Sequence, residues 1–130
     1  MNSKIYIAKS GIKNAGRGVF ASKDIKVNET IEICPILILW RKDAALIMKT
    51  ALHSYVYEYE GDSVLMALGY GSLYNNMDKP NAKYELQEYE GMSKLDSELL
   101  FTAIKPIAKN EEIFIDYGIR DYLKTLKQSS

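Results

Sequence analysis

The apolar residues of this sequence come in short runs, and that shortness restricts the fold more than any other feature. Lys4–Ala8 and Gly18–Ala21 are rich in β-branched and aromatic residues with turn formers between them, which predicts two short strands. Glu29–Leu39 is a longer β segment, in which Pro35 is tolerated only at an edge or a bulge. Tyr55–Glu58 and Ser63–Leu68 predict a strand pair around Glu60-Gly61-Asp62. Ala82–Glu88 and Leu99–Ile104 predict a hairpin with a polar tip from Tyr89 to Glu98. Glu111–Tyr117 reads as a last strand, with Ile113 and Ile115 on one face and Glu112, Phe114 and Asp116 on the other. Only Arg41 to about Ala51 places apolar residues (Ala44, Leu46, Ile47, Ala51) at helical spacing without Gly or Pro. A second short helix is expected between Ile119 and Leu126. Such a chain must pair residues far apart in sequence, so the expectation is a mainly β, nonlocal fold. No internal repeat, linker or second domain is visible, and residues 1–130 read as one domain.

Composition excludes several functions. Seventeen basic residues balance seventeen acidic ones, and without a basic surplus direct nucleic-acid binding is not expected. The longest apolar run, Ile33–Trp40, is far short of a membrane span. Lys4 and Lys9 bracket too few apolar residues for a signal peptide, so a cytoplasmic or nuclear location is expected. The single cysteine, Cys34, and single histidine, His53, offer no metal-ligand set and no zinc cluster. No Walker loop is present, and Gly16-Arg17-Gly18 is too short for a dinucleotide fingerprint. A nucleophile built from Cys34 or a serine with His53 stays open, without a supporting motif; the plainer reading of His53 is a surface or helix-end residue. Ten tyrosines against three phenylalanines and one tryptophan suit half-wet positions, because the ring is apolar and the hydroxyl needs a partner.

Between the strands lies Gly69-Tyr70-Gly71-Ser72-Leu73-Tyr74-Asn75-Asn76-Met77-Asp78-Lys79-Pro80-Asn81, too polar and turn-rich for a buried strand. A loop held between rigid segments is a common place for function. Taken in order, Gly16-Arg17-Gly18-Val19-Phe20-Ala21, this loop with its Asp78-Lys79-Pro80-Asn81 ending, and Glu111-Glu112-Ile113-Phe114-Ile115-Asp116-Tyr117-Gly118 resemble the SET-domain family of protein lysine methyltransferases. The resemblance covers about residues 4–122 and is nearest to the minimal members without zinc-binding flanks. It implies a β-clip fold of several small sheets with a knot-like C-terminal segment, S-adenosylmethionine as methyl donor, and a protein or peptide substrate carrying the target lysine.

The resemblance also implies roles. Arg17 and Gly18 match the first cofactor-binding turn, where glycine admits close backbone approach; a simple tight turn would look the same. Asn75 matches the asparagine of the family's Asn-His-Ser motif, which holds the amino-acid end of the cofactor; its turn preference is the bland alternative. Asn76 and Met77 depart from the usual His-Ser. Asn76 keeps the backbone that faces the adenine but loses the imidazole, which motivates a rival reading: a SET-fold binding or scaffolding module with weak or no catalysis. Tyr117 matches the catalytic tyrosine, and Tyr122 the aromatic that packs against the adenine. Tyr55, Tyr57, Tyr70 and Tyr84 are candidates for the walls of the lysine channel, or core residues. Histones are the family's theme among substrates, and the apolar Ile33–Trp40 stretch is a candidate homodimer contact.

Overall fold

The computed structural model describes residues 3–116. Within these residues nine strands form two sheets: β1 (Ile5–Lys9), β2 (Arg17–Ala21), β3 (Thr30–Leu39), β4 (Val56–Glu58), β5 (Val64–Ala67), β6 (Asn75–Asn76), β7 (Ala82–Gln87), β8 (Glu98–Ala103) and β9 (Glu112–Ile115). The first sheet runs β1-β2-β9-β6 and the second β4-β5-β3-β8-β7. Among the described residues only β6 and β9 pair in parallel, with Asn75 beside Phe114 and Asn76 beside Ile115. The core between the sheets is built from alternate strand residues, among them Val19, Cys34, Phe101, Ile113 and Ile115, each fully buried. The expected mainly β fold is observed, and the strand pair around Gly61 and the β7–β8 hairpin fall where the sequence places them.

Two expectations are corrected by packing. β3 is not an edge strand but the centre of the five-stranded sheet. Pro35 is accommodated because β3 changes partners there: Thr30–Pro35 pair with β8, and Ile36–Leu39 pair with β5. The missing N–H falls at the handover, while the Pro35 carbonyl accepts Leu68 N–H at 2.9 Å. The helix is also shorter than expected, α1 covering Arg41–Ile47. Thr50 then donates its hydroxyl to the Ile47 carbonyl and accepts Leu52 N–H, opening a separate 3₁₀ turn over Ala51–Tyr55. Of the four residues at helical spacing only Ala44 is buried; Leu46 is 60% exposed.

A local repeat is present after all. Residues 25–33 (Ile-Lys-Val-Asn-Glu-Thr-Ile-Glu-Ile) and 107–115 (Ile-Ala-Lys-Asn-Glu-Glu-Ile-Phe-Ile) agree at five of nine places. Asn28 and Asn110 both take left-handed backbone, φ 68° and 72°, a region asparagine enters more readily than most residues. Each turn closes on the strand before the other: Asn28 N–H and Glu29 O bond Ala103, while Asn110 N–H and Glu111 O bond Ala21. Ile25 and Ile107 bridge each other across the junction. This paired clamp sends β3 into one sheet and β9 into the other, which brings β9 between β2 and β6.

Candidate active site

A cavity of about 680 Å³ opens where β2, β6 and the 3₁₀ turn meet, and Gly16, Arg17, Tyr55, Leu73, Asn75 and Asn76 are among its lining residues. The sequence-predicted pair Arg17 and Asn75, 58 residues apart, is joined directly: the Asn75 side-chain amide donates to Arg17 O at 2.9 Å. The same amide donates to Glu112 Oε2 at 3.0 Å. Gly18 lies under this junction. A Cβ on it would stand 2.3 Å from Glu112 Oε2 and 3.0 Å from Asn75 Nδ2, so the close approach requires glycine. Asn76 stays in the parallel ladder beside Ile115, and Met77 N–H continues it to Ile115 O at 3.1 Å. The departure from His-Ser therefore leaves the main chain in strand pairing.

Asn81 fixes the far end of the loop. Its amide donates to Glu112 O at 2.9 Å and its carbonyl oxygen accepts Phe114 N–H at 2.8 Å, imitating one more strand against β9. The chain that leads to residue 117 is thus gripped by Asn75–Asn76 and Asn81 together. Tyr117 and Tyr122 themselves, the expected helix near them and the knot-like C-terminal segment lie outside the described residues.

The four channel candidates occupy different depths. Tyr55 is 43% exposed on the rim of the cavity. Tyr57 is 1% exposed and donates its hydroxyl to Gly71 O at 2.6 Å. Its ring lies 4.6 Å from that of Tyr84, which is half-buried and lines a second cavity of about 360 Å³ with Pro80, Lys83, Ile104 and Asp116. Tyr70 is half-buried against the core, and its N–H donates to Glu32 Oε2 at 3.0 Å.

Two buried carboxylates were missed in the sequence. Glu32 also accepts the Tyr74 hydroxyl at 2.8 Å, so it anchors the 69–74 loop from below. Burial, and then the Glu32 carboxylate, push both the Tyr74 hydroxyl and the Cys34 thiol well above their ordinary pKa ranges. Cys34 is therefore a neutral core thiol, and it is fully buried whereas His53 is exposed, which removes the cysteine nucleophile. His53 does approach Ser54, Nε2 to Oγ at 3.2 Å, but both are exposed and Nδ1 lies against the Thr50 carbonyl rather than an acid. Glu112, the second carboxylate, is 6% exposed and holds Ser10, Gly11 and Asn75. The available signal was a charged residue inside an otherwise apolar, β-branched strand. Among the described residues no acidic, histidine or cysteine cluster is arranged to hold a metal ion, and no helix is long and apolar enough to cross a membrane.

Comparison with known proteins places this geometry. Residues 16–118 match the SET domain. A histone-lysine N-methyltransferase of Schizosaccharomyces pombe, specific for H3 lysine-37, is 31% identical over 104 residues, 79% of this chain and 67% of that protein. The crystal structure of a candidate histone methyltransferase from Plasmodium falciparum aligns with a TM-score of 0.74 at 39% identity, over 91% of this chain and 96% of that one. Polycomb Repressive Complex 2 from Chaetomium thermophilum, in an autoinhibited conformation bound to S-adenosylmethionine, shares the fold at 18% identity and a TM-score of 0.72. It aligns over 98% of this chain but 17% of its own. The match over residues 16–118 and the 31% identical enzyme together show that the chain belongs to the SET-domain family, whose enzymes are S-adenosylmethionine-dependent protein lysine methyltransferases.

Proposed function

We propose that this chain transfers a methyl group from S-adenosylmethionine to a lysine of a histone-type protein, through a channel walled by tyrosines. The observation that carries the reading is the joint between Arg17 and Asn75, which line the cavity from β2 and β6, and Glu112 of β9, which bonds Asn75 from behind. The residues fit the methyl donor. The cavity is within the roughly 300–1000 Å³ usual for small-molecule clefts, Arg17 offers a cation to a carboxylate, and half-buried amides line the wall.

When bound, S-adenosylmethionine supplies an electrophilic methyl group on a sulfonium centre. Arg17, Gly18 and Asn75 would hold its amino-acid end, and the backbone of Asn76 with the ring of Tyr122 its adenine. A lysine amine carries a proton at neutral pH because its pKa is near 10.4. Tyr55, Tyr70 and Tyr84, the last with Tyr57 packed against it, withdraw the lysine stem from water in this reading and so favour the neutral amine. The proton leaves to water, and no dedicated base is needed. Until then the aromatic faces hold the ammonium by cation–π attraction. The Tyr117 hydroxyl orients the amine lone pair for in-line attack, where alignment supplies most of the acceleration.

The 130 residues form one such domain in this reading, and a histone-type substrate would place the protein in the nucleus. Self-association through Ile33–Trp40 would use Ile33, Leu37 and Trp40, each about half exposed, and size-exclusion chromatography tests it. Calorimetry tests the function: wild-type protein should bind S-adenosylhomocysteine one to one, and Asn75→Ala should lose most of that affinity while keeping its fold. No binding by the wild type would remove the proposal. Tight binding of S-adenosylmethionine with no transfer to any lysine peptide would favour the scaffolding reading.

A further inference from the structure

The Glu112 carboxylate touches neither cofactor nor lysine in the proposed reaction, yet it stands behind the cavity-lining Asn75 and accepts hydrogen bonds from three groups. Its Oε1 accepts Gly11 N–H at 2.9 Å, its Oε2 accepts the Asn75 amide at 3.0 Å, and Ser10 Oγ lies 3.0 and 2.8 Å from the two oxygens. These donors are neutral and come from the loop after β1 and from β6. The second hydrogen of the Asn75 amide goes to Arg17 O. Both donors of that amide are thus committed to the wall, which fixes its rotation and turns its carbonyl end away from them.

We propose that Glu112 is a positioning residue for the cofactor site. Its carboxylate sets the orientation of the Asn75 amide and locks Asn75 to the Ser10–Gly11 and Arg17–Gly18 turns, so that the cavity wall has one geometry before any ligand arrives. The proposal rests on reading that cavity as the S-adenosylmethionine site.

The task needs a carboxylate because both of its oxygens accept. Glutamine of the same shape would face either the Asn75 side or the Ser10–Gly11 side with an NH₂ group. On the Asn75 side two donors would meet at about 3 Å, where the carboxylate now accepts. If Asn75 turned over to accept instead, its oxygen would face the Arg17 carbonyl. On the other side the Gly11 N–H would lose its acceptor. Each arrangement leaves one polar contact behind the cavity wall repulsive or unmade, at a carboxylate that is itself 6% exposed. The space for the carboxylate exists because residue 18 has no side chain.

The test compares wild type, Glu112→Gln, Asn75→Ala and the double variant by calorimetry with S-adenosylhomocysteine. Glu112→Gln is expected to weaken binding by about tenfold or more, the cost of one such buried mismatch. On top of Asn75→Ala the same change should weaken it by less than about twofold, because the effect travels through Asn75. Wild-type affinity in Glu112→Gln overturns the proposal, as does a full further loss in the double variant. Glu112→Asp keeps the charge but, one methylene shorter, cannot reach both Gly11 and Asn75. It should show the same loss, and it decides the matter if the glutamine variant does not fold.

A ligand-free readout separates the two claims. The Asn75 side-chain amide protons should exchange with solvent slowly in wild type and about tenfold faster or more in Glu112→Gln, while strand amides of β2 change little. Unchanged Asn75 exchange overturns the role of Glu112 whether or not the cavity binds a ligand. A wild-type protein that shows the exchange response but binds no S-adenosylhomocysteine refutes the cofactor reading and leaves the positioning role standing.

Discussion

Gly71 carries no side chain because the core has already filled its place. A Cβ there would lie 2.5 Å from Ala67 Cβ, 2.8 Å from Cys34 Sγ and 3.2 Å from Phe101 Cε2. Comfortable carbon–carbon contact is about 3.5–4.0 Å, so the overlap with Ala67 is about 1 Å. Ala67 cannot easily yield, since it is 4% exposed and in register with Ile36 of the central strand β3. The displacement would also pull on Gly71 O, which accepts the Tyr57 hydroxyl. Overpacking of this kind costs about 1–3 kcal/mol, and two contacts under 3 Å put Gly71→Ala near the top of that range. At roughly 3–6 °C per kcal/mol for a domain of this size, Tm should fall by about 10–15 °C. Ala67→Gly removes the nearest atom. Alone it should cost about 1 kcal/mol, yet combined with Gly71→Ala it should recover at least half of the loss. Thermal unfolding followed by circular dichroism measures all three variants. A Gly71→Ala melt within 2 °C of wild type, or a double variant no better than additive, refutes the reasoning.

Three further outcomes are expected. Asn81→Ala removes a donor to Glu112 O and an acceptor for Phe114 N–H. It should destabilise by about 2–3 kcal/mol in chemical denaturation, and wild-type stability would contradict the clamp on β9. The Tyr74 pKa is raised in the folded state by burial and by Glu32. Its contribution is therefore complete below the unfolded value near 10 and is lost as pH rises beyond it. Tyr74→Phe should be less stable at pH 7 but lose stability less steeply between pH 9 and 11; parallel pH slopes would refute this. Tyr117→Phe should lower kcat by on the order of a hundredfold with S-adenosylhomocysteine affinity within about twofold. Near-wild-type turnover would show that Tyr117 is not the catalytic tyrosine.

The strands were legible because alternation and turn residues are local signals, and β1, β2, β4, β5 and β7–β9 fall within two or so residues of their expected bounds. The partner change at Pro35 was not legible. A proline reports only its own missing donor, whereas the handover depends on where β5 and β8 end, and both are distant in sequence. The repeat of 25–33 in 107–115 escaped the sequence reading because only five of nine letters agree, and what marks it is the crossed bonds to Ala21 and Ala103. At the site, Arg17, Gly18 and Asn75 were found through motif order, and the fold brings them together. Glu32 and Glu112 escaped because a glutamate in a strand normally faces water. Their burial follows from donors 37 to 102 residues away, among them Tyr74, Ser10 and Asn75.

The most direct measurement of the central claim is mass spectrometry of a lysine-containing histone peptide library after incubation with the protein and S-adenosylmethionine bearing a deuterated methyl group. The account predicts labelled methyl on a lysine ε-amine, with S-adenosylhomocysteine formed in equal amount and the label absent with Asn75→Ala. Stoichiometric binding of S-adenosylmethionine with no label on any lysine, in peptides or in intact histones, would contradict it.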